Sequence, residues 1–389
     1  MRVPRLRVIA AVALTAVLVS CAPASLTNGT PTPSSTTTPT LASATAVASA
    51  TSTQAAAAAV FPDVPLVAGT AVGDLMRWRG GSWQLEAHVC PQDRGQDPVT
   101  ALSISADGRV ALVQCFGTGG RPVTAARPAY VYDFSAKTAR AIGGTTELGI
   151  GPVDQNGTSA VIGVPGDCPN PAPTCQSRWL ELILSTGQTR ELVPSGYWYS
   201  IEFRWTALGL SYFLPLRASA GQQPPERVGT FIFGSRNGTP VRFSTDRLIA
   251  ADANAHAALE RTASLVPINP PPPSAAIERT SGIDSVVTPA GVPEEHPVAL
   301  LADGRIVAWR PDGPDVEAQG RMITYDHGRV VGDAPGFFAR GDVLRSGDWL
   351  ISKLFRGGAT YDLFAYSLSS GAFAKRSAGL AISALGALP

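Results

Sequence analysis

From Leu66 onward, short runs of alternating apolar and polar residues are separated by turn dipeptides. The clearest example is Leu102–Cys115, reading LSISADGRVALVQC. An apolar run ends in Asp107-Gly108 and a second alternating run follows. Period-two alternation on both sides of Asp-Gly predicts a β-hairpin, because that pair supplies the positive φ of a two-residue turn. Similar signals stand at Asn156-Gly157, Thr186-Gly187, Asn237-Gly238, Asp303-Gly304, His327-Gly328 and Ser370-Gly371. The runs between them, such as Arg109–Cys115, Ala129–Phe134, Ser159–Val164, Trp179–Leu184 and Tyr361–Leu368, predict strands and leave little room for helix.

The turns form two periodic series. Asp107, Asn156, Ala207, Asn254 and Asp303 fall about 49 residues apart, and Gly81, Lys137, Gly187, Gly238 and Gly291 step by 50–56. Two hairpins per period predict four-stranded antiparallel units of the length of propeller blades. One such sheet cannot bury both faces, so blades must stack into a ring. From residue 64 to the end there is room for about seven at ~47 residues each. The all-β, seven-bladed ring is expected to close through Leu380–Leu385, an apolar run with no partner after it, added to the blade of Leu66–Ala87. One region resists the pattern. Asp252–Leu265 is rich in Ala and reads as helical, and Asn269–Ser274 holds four consecutive prolines, which excludes a central strand. Residues 252–282 therefore read as a degraded hairpin with a Pro-rich loop, and a six-bladed ring is the second choice.

Ser105-Ala106-Asp107-Gly108-Arg109 resembles the Ser-Pro-Asp-Gly turn of propellers similar to the periplasmic component of the Tol system, and Leu301–Arg305 echoes it. The resemblance covers turns and period over about 320 residues and carries no active-site motif. Neither the tryptophan-aspartate repeat signature nor the sialidase Asp box is present.

The N-terminus is built differently. Arg2, Arg5 and Arg7 precede the apolar run Val8–Val19, which is short for a bilayer span and right for a signal-peptide core. It ends in Leu18-Val19-Ser20-Cys21, which resembles the bacterial lipoprotein box. That resemblance implies cleavage after Ser20 and acyl chains on Cys21. Residues 1–20 are then a signal peptide, residues 21–60 a tether, and residues 61–389 the propeller. Ala22–Ala59 is nearly all Ala, Ser, Thr and Pro. It has too little apolar surface to offset chain entropy, so it reads as disordered, with a reach of roughly 120 Å when extended. Such a protein is expected in the cell envelope, facing periplasm or exterior.

The chain's net charge of +1, with 16% charged residues, provides no basic field for nucleic acid. Gly 39 and Pro 33 of 389 residues fit a fold of many turns. Besides Cys21 there are four cysteines, an even number in an exported chain, which points to disulfides. Cys168 and Cys175 close a short loop and pair at little entropic cost, leaving Cys90 with Cys115 to join the first blade to the next. Zinc is the competing reading, but no Cys-x-x-Cys spacing supports it.

The richest candidate for recognition is Tyr197–Trp205, reading YWYSIEFRW. On a strand, Trp198, Ser200, Glu202 and Arg204 share one side, with Tyr199, Ile201, Phe203 and Trp205 on the other. The second set is inter-blade core. In the first, Trp198, Glu202 and Arg204 combine an aromatic, a carboxylate and a guanidinium, which suits a sugar or a peptide. Glu294-Glu295-His296 reads as a solvated turn, since three neighbours on a strand cannot face one ion. No phosphate loop and no nucleophile elbow occurs, so no catalytic residue, metal or cofactor is expected. The chain is expected to be a monomeric binding or scaffold module, anchored to the membrane through Cys21, with an envelope protein or glycan as partner. A propeller enzyme of lactonase, lyase or glycosidase type, with its site in the channel, is the alternative.

Overall fold

The computed structural model describes residues 60–389 apart from 91–97, 117–126, 146–148, 166–176, 197–200, 216, 219–220, 223–227, 236–237, 262–273, 314–319, 338–342 and 358–359. These residues form seven four-stranded antiparallel sheets with no helix among them. The chain is a seven-bladed β-propeller.

Blade 1 takes its inner strand, Ile382–Ala387, from the end of the chain and its other three, Leu66–Thr70, Asp74–Arg79 and Ser82–His88, from the start. The predicted closure is therefore present. Blades 2, 3 and 4 have the inner strands Val99–Ile104, Ile150–Val153 and Glu202–Thr206, and blades 5, 6 and 7 have Arg247–Ala251, His296–Leu300 and Leu344–Ser346. Each sheet runs outward from its inner strand in chain order. A two-stranded hairpin, Arg217–Ala218 with Gly221–Gln222, projects from blade 4.

The inner hairpins share a construction. The amides of Gly108, Gly157, Ala255 and Gly304 donate to the carbonyls of Ser105, Asp154, Asp252 and Leu301, three residues earlier. Only the donor of each set has positive φ, as at Gly108 (69°) and Ala255 (61°). The turns are thus longer than the two-residue form expected. Asp107 braces its turn instead of bending it. Its carboxylate accepts from the Ser105 hydroxyl and the Arg109 amide, which holds its pKa below the usual range. Blades 4 and 7 depart from the pattern, turning tightly between Thr206 and Gly209 and between Ser346 and Trp349.

Two expectations fail at blade 5. Ala257–Arg261 is a strand, not a helix, with Ala257, Ala258 and Leu259 fully buried. It pairs with Arg247–Ala251 on one side and Ala275–Thr280 on the other. The outer turn is Ser281-Gly282, not Gly291, which lies in the connection to blade 6. Blade 5 is complete, and the six-bladed alternative is excluded. Burial between two neighbouring sheets overrides the helix propensity of alanine. The consecutive prolines lie outside the described residues.

Seven apolar clusters occupy the seven seams between blades. Some are aromatic: Trp179 of blade 3 meets Phe203 of blade 4 at 5.0 Å. The seam between blades 5 and 6 uses small residues, with Ala258 and Ala276 against Ala308 and Ile306. Several seams also have polar contacts of their own. The Ser103 hydroxyl accepts from the Val153 amide (3.0 Å), the Thr230 hydroxyl from the Leu248 amide (3.1 Å), and Arg345 donates to the Leu300 carbonyl (3.2 Å).

Cys90 and Cys115 form a disulfide between blade 1 and blade 2, as expected. Cys168, Cys175 and Cys21 lie outside the described residues.

Candidate functional site

Glu202, Arg247 and His296 are the first residues of the inner strands of blades 4, 5 and 6. Equivalent register around the ring brings the three side chains together at the end of the channel where inner strands begin. Glu260, the cross-strand partner of Arg247, joins them from the second strand of blade 5. Arg247 Nη1 donates to Glu202 Oε1 (2.9 Å), and Nη2 lies 2.5 Å from Glu260 Oε2. His296 Nδ1 is 2.6 Å from Glu260 Oε1, and Nε2 is 2.9 Å from Glu294 Oε1. Arg204 Nη2 stands 3.5 Å from Glu202 Oε2. A row of alternating charge thus runs Arg204, Glu202, Arg247, Glu260, His296, Glu294. The His296 ring stacks on Trp309, its own cross-strand partner, at 5.7 Å.

The row is anchored by Glu260, whose side chain is 3% exposed. Burial alone would push its pKa up, but the hydrogen bond from His296 and the charge of Arg247 hold it below the usual carboxylate range. Burial opposes the charge on His296 and Arg247 as well. Glu260 outweighs it in both, aided by Glu294 and Glu202 respectively, and raises both pKa values.

Glu202 and Arg204 also line a cavity of about 780 Å³ in the channel. Its wall comes from the inner strands of blades 1, 2, 3 and 4 and the first two strands of blade 7. Its lining mixes apolar side chains such as Leu102, Ile150 and Leu385 with polar ones such as Thr100, Ser103 and Ser383, and Lys353 adds a second cation. Lys353 donates to the Ser383 carbonyl at 2.8 Å. A smaller cavity of about 180 Å³ lies between blades 3 and 4, where the hairpins turn. There the buried Glu181 accepts two bonds from Arg190, at 2.8 and 3.1 Å. Among the described residues no group of His, Cys, Asp and Glu is arranged to hold a metal ion.

The alternation predicted for this strand is present in its described part. Ile201 and Phe203 are buried in the seam with Trp205 packed against them, Glu202 and Arg204 are half-buried, and residues 201–204 all line the cavity. Trp198 and Ser200 lie outside the described residues. The reading of Glu294–His296 as a solvated turn is wrong. His296 is enclosed by two carboxylates, and Glu295 is fully buried. Glu295 accepts from Arg310 (2.9 Å), Tyr325 (2.7 Å) and Thr288 (2.6 Å). Blade 6 needs those bonds to bury a carboxylate, and a local reading of the turn contains none of the partners. Arg247, Glu260 and His296 escaped sequence reasoning. Their one signal is that residues 202, 247 and 296 repeat at nearly one blade length.

No protein-family model and no curated protein matches the chain. Solved structures do. The chain is similar to a prolyl endopeptidase (10% identity, TM-score 0.53), with 81% of this chain and 50% of that one covered. It is also similar to the acylaminoacyl peptidase of Pyrococcus horikoshii (10% identity, TM-score 0.50, 82% and 50% covered). A third likeness is to TolB from Acinetobacter baumannii (15% identity, TM-score 0.44, 82% and 65% covered). The chain spans about half the length of the two peptidases. At such identities the likeness is one of fold, a β-propeller module.

Proposed function

We propose that the protein is an extracytoplasmic lipoprotein, anchored by acyl chains on Cys21, whose propeller binds an envelope protein or glycan at the channel mouth. Trp198, Glu202 and Arg204 are its recognition residues. The observation that carries this reading is the cavity of about 780 Å³, lined by both apolar and polar side chains, with Glu202 and Arg204 on its wall. A recess that combines apolar surface with fixed polar groups is the usual form of a binding site. Glu202 is held from behind by Arg247. Arg204, whose guanidinium among the described residues approaches Glu202 at 3.5 Å, has donors to offer an incoming carboxylate or hydroxyl. The lipoprotein box and the Ala/Ser/Thr/Pro tether support the location.

The test uses the full chain in detergent. Binding to isolated envelope glycans and to envelope proteins is measured for wild type, Arg204→Ala and Glu202→Gln. The expected result is a ligand whose affinity falls about tenfold or more in each variant, the loss of one charge-assisted hydrogen bond. Equal binding by all three proteins overturns the assignment of the site. Radiolabelled palmitate should enter wild type and not Cys21→Ala, and its absence from both overturns the anchor.

A further inference from the structure

We propose that His296 is a proton-operated latch that closes the seam between blades 5 and 6 at the channel mouth. Its geometry requires a charged ring. Nδ1 faces Glu260 Oε1 at 2.6 Å and Nε2 faces Glu294 Oε1 at 2.9 Å. A neutral imidazole carries one N–H and would turn a lone pair toward one of the two carboxylates. Only the imidazolium donates to both. Glu260 has no escape to water, because it is buried and held on its other oxygen by Arg247.

The surrounding charges balance only with the proton in place. Blade 5 presents Glu260 and Arg247 to the ring, and Glu294 approaches from the chain entering blade 6. Blade 4 adds Glu202 and Arg204 through Arg247. Trp309 covers one face of the ring without charge, and the next residue, Arg310, is committed to Glu295. Three carboxylates therefore face two guanidinium groups and one imidazole. The raised pKa of His296 and the lowered pKa of Glu260 agree with this arrangement.

The opposite end of the same seam is built from the same residue types and behaves differently. His256 Nε2 of blade 5 and His327 Nδ1 of blade 6 lie 3.0 and 2.9 Å from one oxygen of Glu278. Each ring needs a proton on only one nitrogen, so neutral tautomers suffice; Asp326, 4.0 Å from His327 Nε2, is too far for a hydrogen bond. The Thr288–Glu295 bond also crosses the seam and involves no histidine. Between the ends the filling is apolar, with Ala258, Ala276 and Ala308 among Leu300, Ile306 and Ile323. At the channel end one histidine bridges two carboxylates, whereas at the opposite end two histidines share one carboxylate oxygen.

The sign follows from the direction of the shifts. A raised histidine pKa stabilises the closed seam below the ordinary value near 6.5, and that stabilisation disappears as pH rises through the raised value. A lowered Glu260 pKa stabilises it above the ordinary carboxylate range and fails as pH falls through the lowered value. The latch is shut between these limits and opens on the alkaline side. Glu202, at the other end of the row, is a cavity wall residue, so the mouth changes shape with the proton. This inference is independent of the ligand proposed above.

The test combines an NMR titration of the histidine Cε1 protons with amide hydrogen exchange, corrected for intrinsic rates, on the full chain. The histidine signal that is missing from His296→Gln should titrate above about 6.5 in wild type. Through that transition the amides of Arg247–Ala251 and His296–Leu300 should exchange severalfold faster. Glu294→Gln should move the transition to lower pH, and it carries the test alone if His296→Gln does not fold. Titration of His296 at or below about 6.5, exchange unaffected by pH, or a transition unmoved in Glu294→Gln would each overturn the latch.

Discussion

Leu66 pairs with Ala387, so the first strand of the ring lies against the last. The join runs through Thr70 and Ile382, and the Ser383 hydroxyl donates to the Gly69 carbonyl. Ile382 and Leu388 are almost fully buried in the cores on either side. Removing residues 380–389 is expected to open blade 1 and cost at least about 4 kcal/mol of apolar burial. Urea unfolding should show a lower midpoint and a broader transition, since the ring would have two free edges.

The disulfide between Cys90 and Cys115 closes 25 residues of sequence. Cross-linking a loop of that size restricts the unfolded chain and stabilises the fold by about 3 kcal/mol. Cys90→Ser with Cys115→Ser should lose that amount in denaturant, read as a lower midpoint than wild type under non-reducing conditions.

Ala255 occupies the position held by glycine in the matching turns of blades 2, 3 and 6, with φ of 61°. A side chain in the left-handed region costs roughly 1–2 kcal/mol, and glycine recovers part of it against its greater freedom when unfolded. Ala255→Gly should therefore raise stability by about 0.5–1 kcal/mol, read as a higher denaturation midpoint with an unchanged slope.

Glu295 is fully buried and accepts from three donors. Its truncation takes the carboxylate from the partly buried Arg310 and the acceptor from the buried Tyr325 hydroxyl. Glu295→Ala should cost about 3–5 kcal/mol. Replacing Glu295, Arg310 and Tyr325 together by apolar residues should cost much less, because no charge is stranded. Denaturant melts of the two proteins distinguish these outcomes.

Much of the ring is legible in sequence because its hairpins advertise themselves. Asp107-Gly108, Asn156-Gly157 and Asp303-Gly304 stand one or more blade lengths apart, and each glycine holds the positive φ. Blade 5 is obscured at the corresponding point, where Ala255 replaces glycine and an alanine-rich strand follows. Its strand character comes from neighbours distant in sequence. The candidate site divides the same way. Glu202 and Arg204 lie two apart on one strand, and alternation alone places them on one side. Arg247, Glu260 and His296 meet Glu202 only after three blades have been laid side by side, and no short window of sequence contains that meeting.

Seven sheets of similar length and pattern invite mis-threading, in which a blade docks on the wrong neighbour or on a second molecule. The polar contacts at the seams counter this, because they are not interchangeable. The Ser103 hydroxyl meets the Val153 amide, Thr230 meets Leu248, Arg345 meets the Leu300 carbonyl, and three histidines meet glutamates at a single junction. A swapped blade would bury donors and acceptors with no counterpart. Each such junction serves as an address label, and the order of the blades is written in hydrogen bonds as well as in the order of the chain.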